Sequence, residues 1–279
     1  MGMRVGIIGD GQQAYLLASE AGRLGLETRI LTASTSQQGT GTDLGSPGAE
    51  PDDALAVESL ARRVDVITFA TDQVPAATLC QLARLNTSGT VKIAPQPELL
   101  RCLASKTAQQ EWLRRSGLPA DPLRGSQSHC WPESSTSKSG HHLLSEHYLS
   151  VPVIRGLDGS LFNLPAVAWY GADASTGANR SALPSDGTLK RAEAIARMAI
   201  RRLDCNGFVA VQLTVTRASI IHVTELMSLP TWASLATSAR HADARGYPVS
   251  PHALHLAAIT KQTGTAQSCV GEKVVQRMG

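Results

Sequence analysis

The stretch Arg4-Val-Gly-Ile-Ile-Gly-Asp-Gly-Gln-Gln-Ala-Tyr-Leu-Leu-Ala18 constrains the fold more than any other part of the chain. A short apolar run (Val5, Ile7, Ile8) stops at Gly9-Asp-Gly11. A helical pattern then places Ala14, Leu17, Ala18 and Ala21 on one face. Strand, tight glycine turn and helix in that order open an α/β sheet whose ligand crevice lies at the carboxyl ends of its strands. As a dinucleotide fingerprint the stretch fails. The third glycine is absent, with Ala14 at that part of the helix, and no acid occurs from Ile30 to Ser34, where a ribose partner would fall. Gly9, Gly11 and Gln12 either line the crevice or serve a turn that needs glycine for its backbone.

Strands and helices then alternate to about residue 120. Strands are expected at Glu27 to Thr32, Val64 to Phe69 and Val91 to Ala94. Helices are expected from Pro51 to about Arg63, after Pro75, after Pro95, and after Ser105, ending before Gly117. Asp72 and Gln73 stand where the third strand meets the crevice, either as ligand groups or as ordinary turn formers. Residues 121–145 are rich in Pro, Gly, Ser and His and read as a linker. From His147 the class changes to antiparallel hairpins (His147 to Arg155 with Ser160 to Trp169, then Gly207 to Val215 with Ser219 to Glu225). Helices are expected over 188–204 and Pro251 to Ile259. The expected fold is α/β: a doubly wound, parallel-sheet domain over 1–120, the linker, and a smaller α+β domain over 146–279.

Composition narrows the class. The 279 residues are 42% apolar, enough for a core, and a net charge of +3 without basic clusters leaves no nucleic-acid footprint. No apolar run is long enough to span a bilayer, and Met1 runs almost directly into a strand, so neither a membrane segment nor a signal peptide is expected. Five scattered cysteines without a Cys-x-x-Cys pair suit a reduced, cytoplasmic protein.

The quoted segments resemble the ATP-grasp enzymes of purine synthesis, specifically the N5-carboxyaminoimidazole ribonucleotide synthase family. Gly9-Asp-Gly-Gln-Gln13 is similar to that family's Gly-Gly-Gly-Gln-Leu turn, and Thr68-Phe-Ala-Thr-Asp-Gln-Val74 to its Thr-Tyr-Glu-Phe-Glu-Asn-Val. Lys106 and Gly117-Leu-Pro119 match the end of the family's first domain. Leu149-Ser-Val-Pro-Val-Ile-Arg-Gly-Leu-Asp-Gly159, Phe208 to Leu213 and His222-Val-Thr-Glu225 match its later strands. The terminal Gly271 to Gly279 resembles its late basic segment. The resemblance implies substrate-binding roles for Gly9, Gly11, Gln12, Gln73, Arg155, Lys273 and Arg277, with Glu225 and Asp72 as the catalytic carboxylates. Lys273 and Arg277 would receive a phosphate, or form a solvated basic tail. Glu225 would act as acid or base, or be an interior carboxylate inherited with the fold.

The departures from the family are chemical. Its lysine-bearing, glycine-rich lid is replaced by residues 121–145, which hold one lysine, Lys138. Its first metal carboxylate is Gln212, a neutral amide that holds Mg²⁺ poorly, and Thr224 replaces the asparagine beside Glu225. Neither ATP nor Mg²⁺ is therefore expected as a cofactor, and no metal site is assigned. The expected function is an enzyme acting on a phosphorylated, aminoimidazole-ribonucleotide-like substrate without its own ATP hydrolysis. The alternative is a catalytically inactive paralogue that binds a ligand or partner. A third reading has the lid supplied by another subunit. A homodimer is expected, to cover surface the lost lid would leave bare.

Other constellations carry less. His129, Cys130, His141, His142 and His147 fit no closed zinc spacing. His222 and Glu225, three apart on a strand, are expected on opposite faces. No Gly-x-Ser-x-Gly elbow precedes a helix.

Overall fold

The computed structural model describes residues 2–32, 53–120, 145–168, 184–229 and 250–260. The first unit is a parallel sheet in the order β2-β1-β3-β4, built from β1 (Arg4–Ile8), β2 (Glu27–Leu31), β3 (Val66–Phe69) and β4 (Lys92–Ile93). Between them run α1 (Gly11–Arg23), α2 (Ala54–Ala61) and α3 (Ala76–Thr87), and after them α4 (Pro97–Leu103) and α5 (Lys106–Arg115). Both faces of this sheet are covered, which is why its strands read as near-continuous apolar runs. On β3 the alternation splits the two cores. Ile67 and Phe69 pack with α2 and α3, while Val66 packs in the cluster that holds Val5, Ile7 and the Ala14–Leu17–Ala21 stripe of α1. The helix starts agree with their caps: Asp53 accepts from the amides of Leu55 and Ala56, and Ser105 Oγ from that of Ala108.

The second unit is an antiparallel sheet ordered β6-β5-β8-β9, with β7 also paired to β5. Its strands are β5 (Ser145–Arg155), β6 (Leu161–Asn163), β7 (Val167–Ala168), β8 (Gly207–Thr216) and β9 (Ile221–Ser228). The strand expected over Ser160 to Trp169 is two short pieces, separated by Leu164 to Ala166. Pro165 has no N–H to give the ladder, so pairing with β5 lapses there.

Alternation on β8 sets the layers. Val209, Val211, Leu213 and Val215 face α6 (Asp186–Leu203) through Ala192, Ala196, Ala199 and Ile200, whereas Phe208 and Ala210 join the cluster of the first sheet. The apolar helix α7 (Pro251–Ile259) lies between the two sheets, and its residues Leu254, Leu256, Ala257 and Ala258 belong to that shared cluster.

One buried side chain ties the three layers together. The Phe208 amide donates to His255 Nδ1 at 3.0 Å, so Nε2 holds the ring proton and donates to Thr68 Oγ1 at 2.7 Å. Burial pushes the His255 pKa down to about 3, with His252 nearby adding to the effect, and pushes that of His252 down to about 4.

Candidate active site

The parallel sheet changes winding direction between β1 and β3, and their carboxyl ends open a crevice there. At Gly9 (φ +124°) a Cβ would stand 3.1 Å from Ala70 Cβ and from Thr71 Cγ2, so glycine lets the β1–α1 turn seat against the end of β3. Beyond β3 the chain turns through Thr71, whose Oγ1 accepts from the Gln73 amide at 3.0 Å, and this presents Asp72 and Gln73.

The opposite wall comes from β9. A bulge between Gln212 and Leu213 sets Glu225 opposite Gln212, Val223 opposite Leu213 and His222 opposite Thr214, leaving Thr224 as the extra residue. Glu225 thereby takes the face of β8 that bears Phe208 and Ala210 and looks toward the first unit. The expectation that His222 and Glu225 point to opposite faces is corrected by this bulge: Gln212 and Thr214 share a face, so their partners do too. His222 still stays out of the crevice, with Nδ1 3.4 Å from the Ala120 carbonyl oxygen.

The two walls enclose a cleft of about 350 Å³ lined by Gln13, Asp72, Gln73, Gln109, Glu225 and Ser228 among others. That volume suits a small molecule. Ser228 donates from Oγ to Asp72 Oδ1, a direct link between the walls. Asp72 and Glu225 are both half-buried, and among the described lining residues there is no lysine or arginine.

Gln109 holds the β9 wall in place. It is buried on α5, where its Oε1 accepts from the Leu226 amide at 2.8 Å and its Nε2 donates to the Leu226 carbonyl at 3.2 Å. Gln110 Nε2 donates to the Thr224 carbonyl at 3.0 Å. The outer edge of β9 is thus satisfied on both sides of Glu225 by side chains from α5. Gln109→Leu leaves both Leu226 backbone groups buried without partners, and urea denaturation is expected to show a loss of about 2–4 kcal/mol. A midpoint equal to that of the parent would show the clamp to be dispensable.

The other residues singled out in the sequence are spread more widely. Gly11 (φ +68°) has open space around it, and Gln12 is exposed; its neighbour Gln13, not Gln12, lines the cleft. The first helical turn rolls Gln12 outward and Gln13 toward β3. Arg155 does not reach the cleft. It ends β5 beside Gly207 and pairs with Asp204, while Glu225 is paired with Gln212, five residues or about 17 Å further along β8. Lys273, Arg277, Lys138 and the 121–144 segment lie outside the described residues, as do His129, Cys130, His141 and His142; His147 is on β5. No cluster of metal-ligating side chains occurs among the described residues. No described helix is long and apolar enough to cross a membrane.

Known proteins share this architecture. Residues 2–104 match the ribonucleotide synthetase preATP-grasp domain. Over 115 residues the chain is 33% identical to N5-carboxyaminoimidazole ribonucleotide synthase of Synechococcus elongatus. The chain resembles N5-carboxyaminoimidazole ribonucleotide synthase. The Synechococcus alignment covers 41% of the chain and 28% of that relative's length. The fold is shared more widely than the sequence. The synthetase of Thermotoga maritima superposes with a TM-score of 0.68 at 22% identity, covering 92% of this chain and 75% of that one. The Aspergillus clavatus synthase, solved with ADP and 5-aminoimidazole ribonucleotide, superposes with a TM-score of 0.69 at 20% identity, covering 97% and 79%. The parallel and antiparallel sheets therefore share the α/β fold of these synthetases.

Among the polar lining residues, Gln109 and Ser228 were not singled out in the sequence, and Gln13 entered only as the end of the Gly9 to Gln13 turn. Gln109 left one signal, since it shares a helical stripe with buried Leu113, where a polar side chain needs a partner. Ser228, opposite Val209 at the end of β9, left no such signal.

Proposed function

We propose that the cleft binds a small phosphorylated, aminoimidazole-ribonucleotide-like substrate, and that the protein performs carboxylation, decarboxylation or C–N bond chemistry on it without hydrolysing ATP itself. The observation that carries this reading is the meeting of Asp72 and Glu225 across one cleft at the switch point of the first sheet. The neighbouring fold from Aspergillus clavatus was solved with ADP and 5-aminoimidazole ribonucleotide, which supplies the ligand class to test first. In this reading Glu225 moves a proton on or off the substrate, and Asp72 accepts hydrogen bonds that orient it, displacing Ser228 Oγ as it does so.

The residues at the resembled metal position do not fit Mg²⁺. Gln212 is buried, its Nε2 donates to Ser150 Oγ at 2.9 Å, and its Oε1 is buried without a hydrogen-bond partner among the described residues. A neutral amide beside one half-buried carboxylate is a weak set for a hard dication. No step is routed through ATP or a metal. A cytoplasmic homodimer belongs to the same reading, and sedimentation at micromolar concentration checks its oligomeric half.

The test is a melting-point panel with 5-aminoimidazole ribonucleotide, its carboxylated forms, and ATP with Mg²⁺, and then turnover assays. A ribonucleotide at a hundred times its Kd is expected to stabilise the protein by about 2.7 kcal/mol, with no shift from ATP. Glu225→Gln is expected to lower kcat by about 10²-fold or more, and Asp72→Asn to weaken binding by about tenfold or more. Binding without turnover would leave the inactive ligand-binding alternative. A shift with Mg²⁺-ATP would overturn the ATP-free part, and silence with every ribonucleotide would overturn the ligand class.

A further inference from the structure

We infer that Gln212 makes the β8 side of this cleft independent of divalent cations, and that the charge of this one side chain separates it from a cation-binding site. Gln212 stands where the resembled family has its first metal carboxylate. The inference rests on the ladder of β5, β8 and β9 and needs no particular ligand class.

Three polar side chains form one row across these strands. Ser150 on β5 is opposite Gln212 on β8, and Gln212 is opposite Glu225 on β9. Residues directly opposite in an antiparallel pair share a face, with Cβ atoms about 5 Å apart. Ser150 is 1% exposed and Gln212 2%, so this part of the row is dry, whereas Glu225 lines the cleft. Carboxylates at both 212 and 225 would be set to hold a dication between them. This chain has one carboxylate and one amide.

The neighbours of the amide fix its direction. Nε2 lies 2.9 Å from Ser150 Oγ and 3.4 Å from Met227 Sδ. A thioether has no proton to give, so the end of the amide that touches it is the amino group. Its protons thus reach β5 on one side and β9 on the other. The positive end of the amide dipole is turned to the strand that carries Glu225, which opposes a cation there. Turning the amide over to offer Oε1 would set oxygen against sulfur, two acceptors facing each other. A dication also needs more than one full negative charge to repay its desolvation in such a place.

Gln212→Glu reverses each of these terms. It removes the protons given to Met227 and Ser150, and it puts a second full charge opposite Glu225. Among the described lining residues there is no lysine or arginine to balance that charge. A bound dication would balance it.

The test is electron paramagnetic resonance of Mn²⁺ titrated into the full chain, together with urea denaturation. The parent and the neutral Gln212→Met are expected to leave the free-ion signal undiminished. Gln212→Glu should bind Mn²⁺ about tenfold or more tightly than the parent, and adding Glu225→Gln to that variant should remove the gain. Without metal, the urea midpoint of Gln212→Glu is expected to fall by about 1 M. Saturating Mn²⁺ should recover most of that loss and leave the parental midpoint in place. Should Gln212→Glu not fold without metal, refolding it from urea with and without Mn²⁺ reads the same dependence.

Parental Mn²⁺ binding as tight as that of Gln212→Glu, no gain in Gln212→Glu, or a gain that survives Glu225→Gln would each overturn the inference. No ribonucleotide enters these measurements. Their failure therefore leaves the ligand reading standing, and silence in the ribonucleotide panel leaves this inference standing.

Discussion

Gly207→Ala is expected to destabilise the protein by about 3–5 kcal/mol, a large share of what a domain of this kind has. Two costs add. Gly207 has φ +94°, a backbone region that L residues occupy only with strain of about 1–3 kcal/mol. A Cβ built there would also lie 2.6 Å from His255 Cε1 and 2.8 Å from His255 Nδ1. The ring cannot swing aside, since bonds to the Phe208 amide and Thr68 Oγ1 hold both its nitrogens; such overpacking costs about 1–3 kcal/mol more. Gly25→Ala separates the terms. Gly25 has φ +70° and open space around its would-be Cβ, so that variant is expected to lose only about 1–2 kcal/mol. In a His255→Ala background the cost of Gly207→Ala should fall toward the Gly25→Ala figure, giving a coupling of about 2 kcal/mol in a double-mutant cycle. Independent, additive losses would show that the close approach of Gly207 and His255 is not what keeps this position glycine.

Acid is expected to have an effect of similar size. His252 and His255 sit neutral in the fold with pKa values pushed down to about 4 and about 3, against an ordinary value near 6.5. Below pH 6.5 the unfolded chain takes up both protons and the folded protein neither, so the stability these neutral rings confer is fully present above pH 6.5. It is lost progressively as pH falls toward 4 and then 3. Each proton contributes a slope of about 1.4 kcal/mol per pH unit, so between pH 6 and 4.5 the pair removes stability at nearly twice that rate. Urea midpoints at pH 7.5, 6, 5 and 4.5 should fall steadily. His252→Gln, which keeps a polar partner for Gln13 but cannot titrate, should roughly halve the slope. Equal midpoints at pH 7.5 and 5 would rule out neutral burial of these rings. The Arg4–Asp65 pair contributes little in this range. Its hydrogen bonds hold the Asp65 carboxyl below the ordinary carboxylate range, so its contribution is lost only at lower pH, and the pair is partly solvent-exposed.

The sheets and helices were legible because each has a local cause. The alternation of β8 splits it between two layers, and the Ala-rich stripe of α6 matches one of them. Ser105 announces its helix as a cap, while the helix expected from Pro51 starts at Ala54, behind its cap Asp53. Pro251 opens α7 at its first residue and Ile259 closes it, as the sequence pattern indicates. The carboxylate pair was half legible. Asp72 is placed by its position after β3, the third strand of the alternating βα units. Glu225 came from a resemblance in sequence, and its orientation depends on a bulge that shifts the register of β9 by one residue. Strand periodicity alone therefore puts His222 and Glu225 on opposite faces, which the pairing does not.

Arg155 shows the same boundary from the other side. Its sequence neighbourhood resembles that of a ligand residue, yet antiparallel pairing carries it to the start of β8, where it meets Asp204. Gln13 and Gln12 differ by a single step of about 100° around α1, and only the position of β3 decides which of them faces the cleft. By itself the sequence determined the features that neighbours along the chain dictate: the glycine turn, the alternating βα order, the cap at Ser105, and the change to antiparallel hairpins from β5 onward. Tertiary structure alone decided the features that depend on contacts between distant segments. These are the α5 carboxamides on the edge of β9, Ser228 on Asp72, and the histidines of α7 on Gln13 and Thr68, a separation of 187 residues in the last case. Such contacts leave no local pattern, because a buried hydrogen bond needs only that its two ends meet in space.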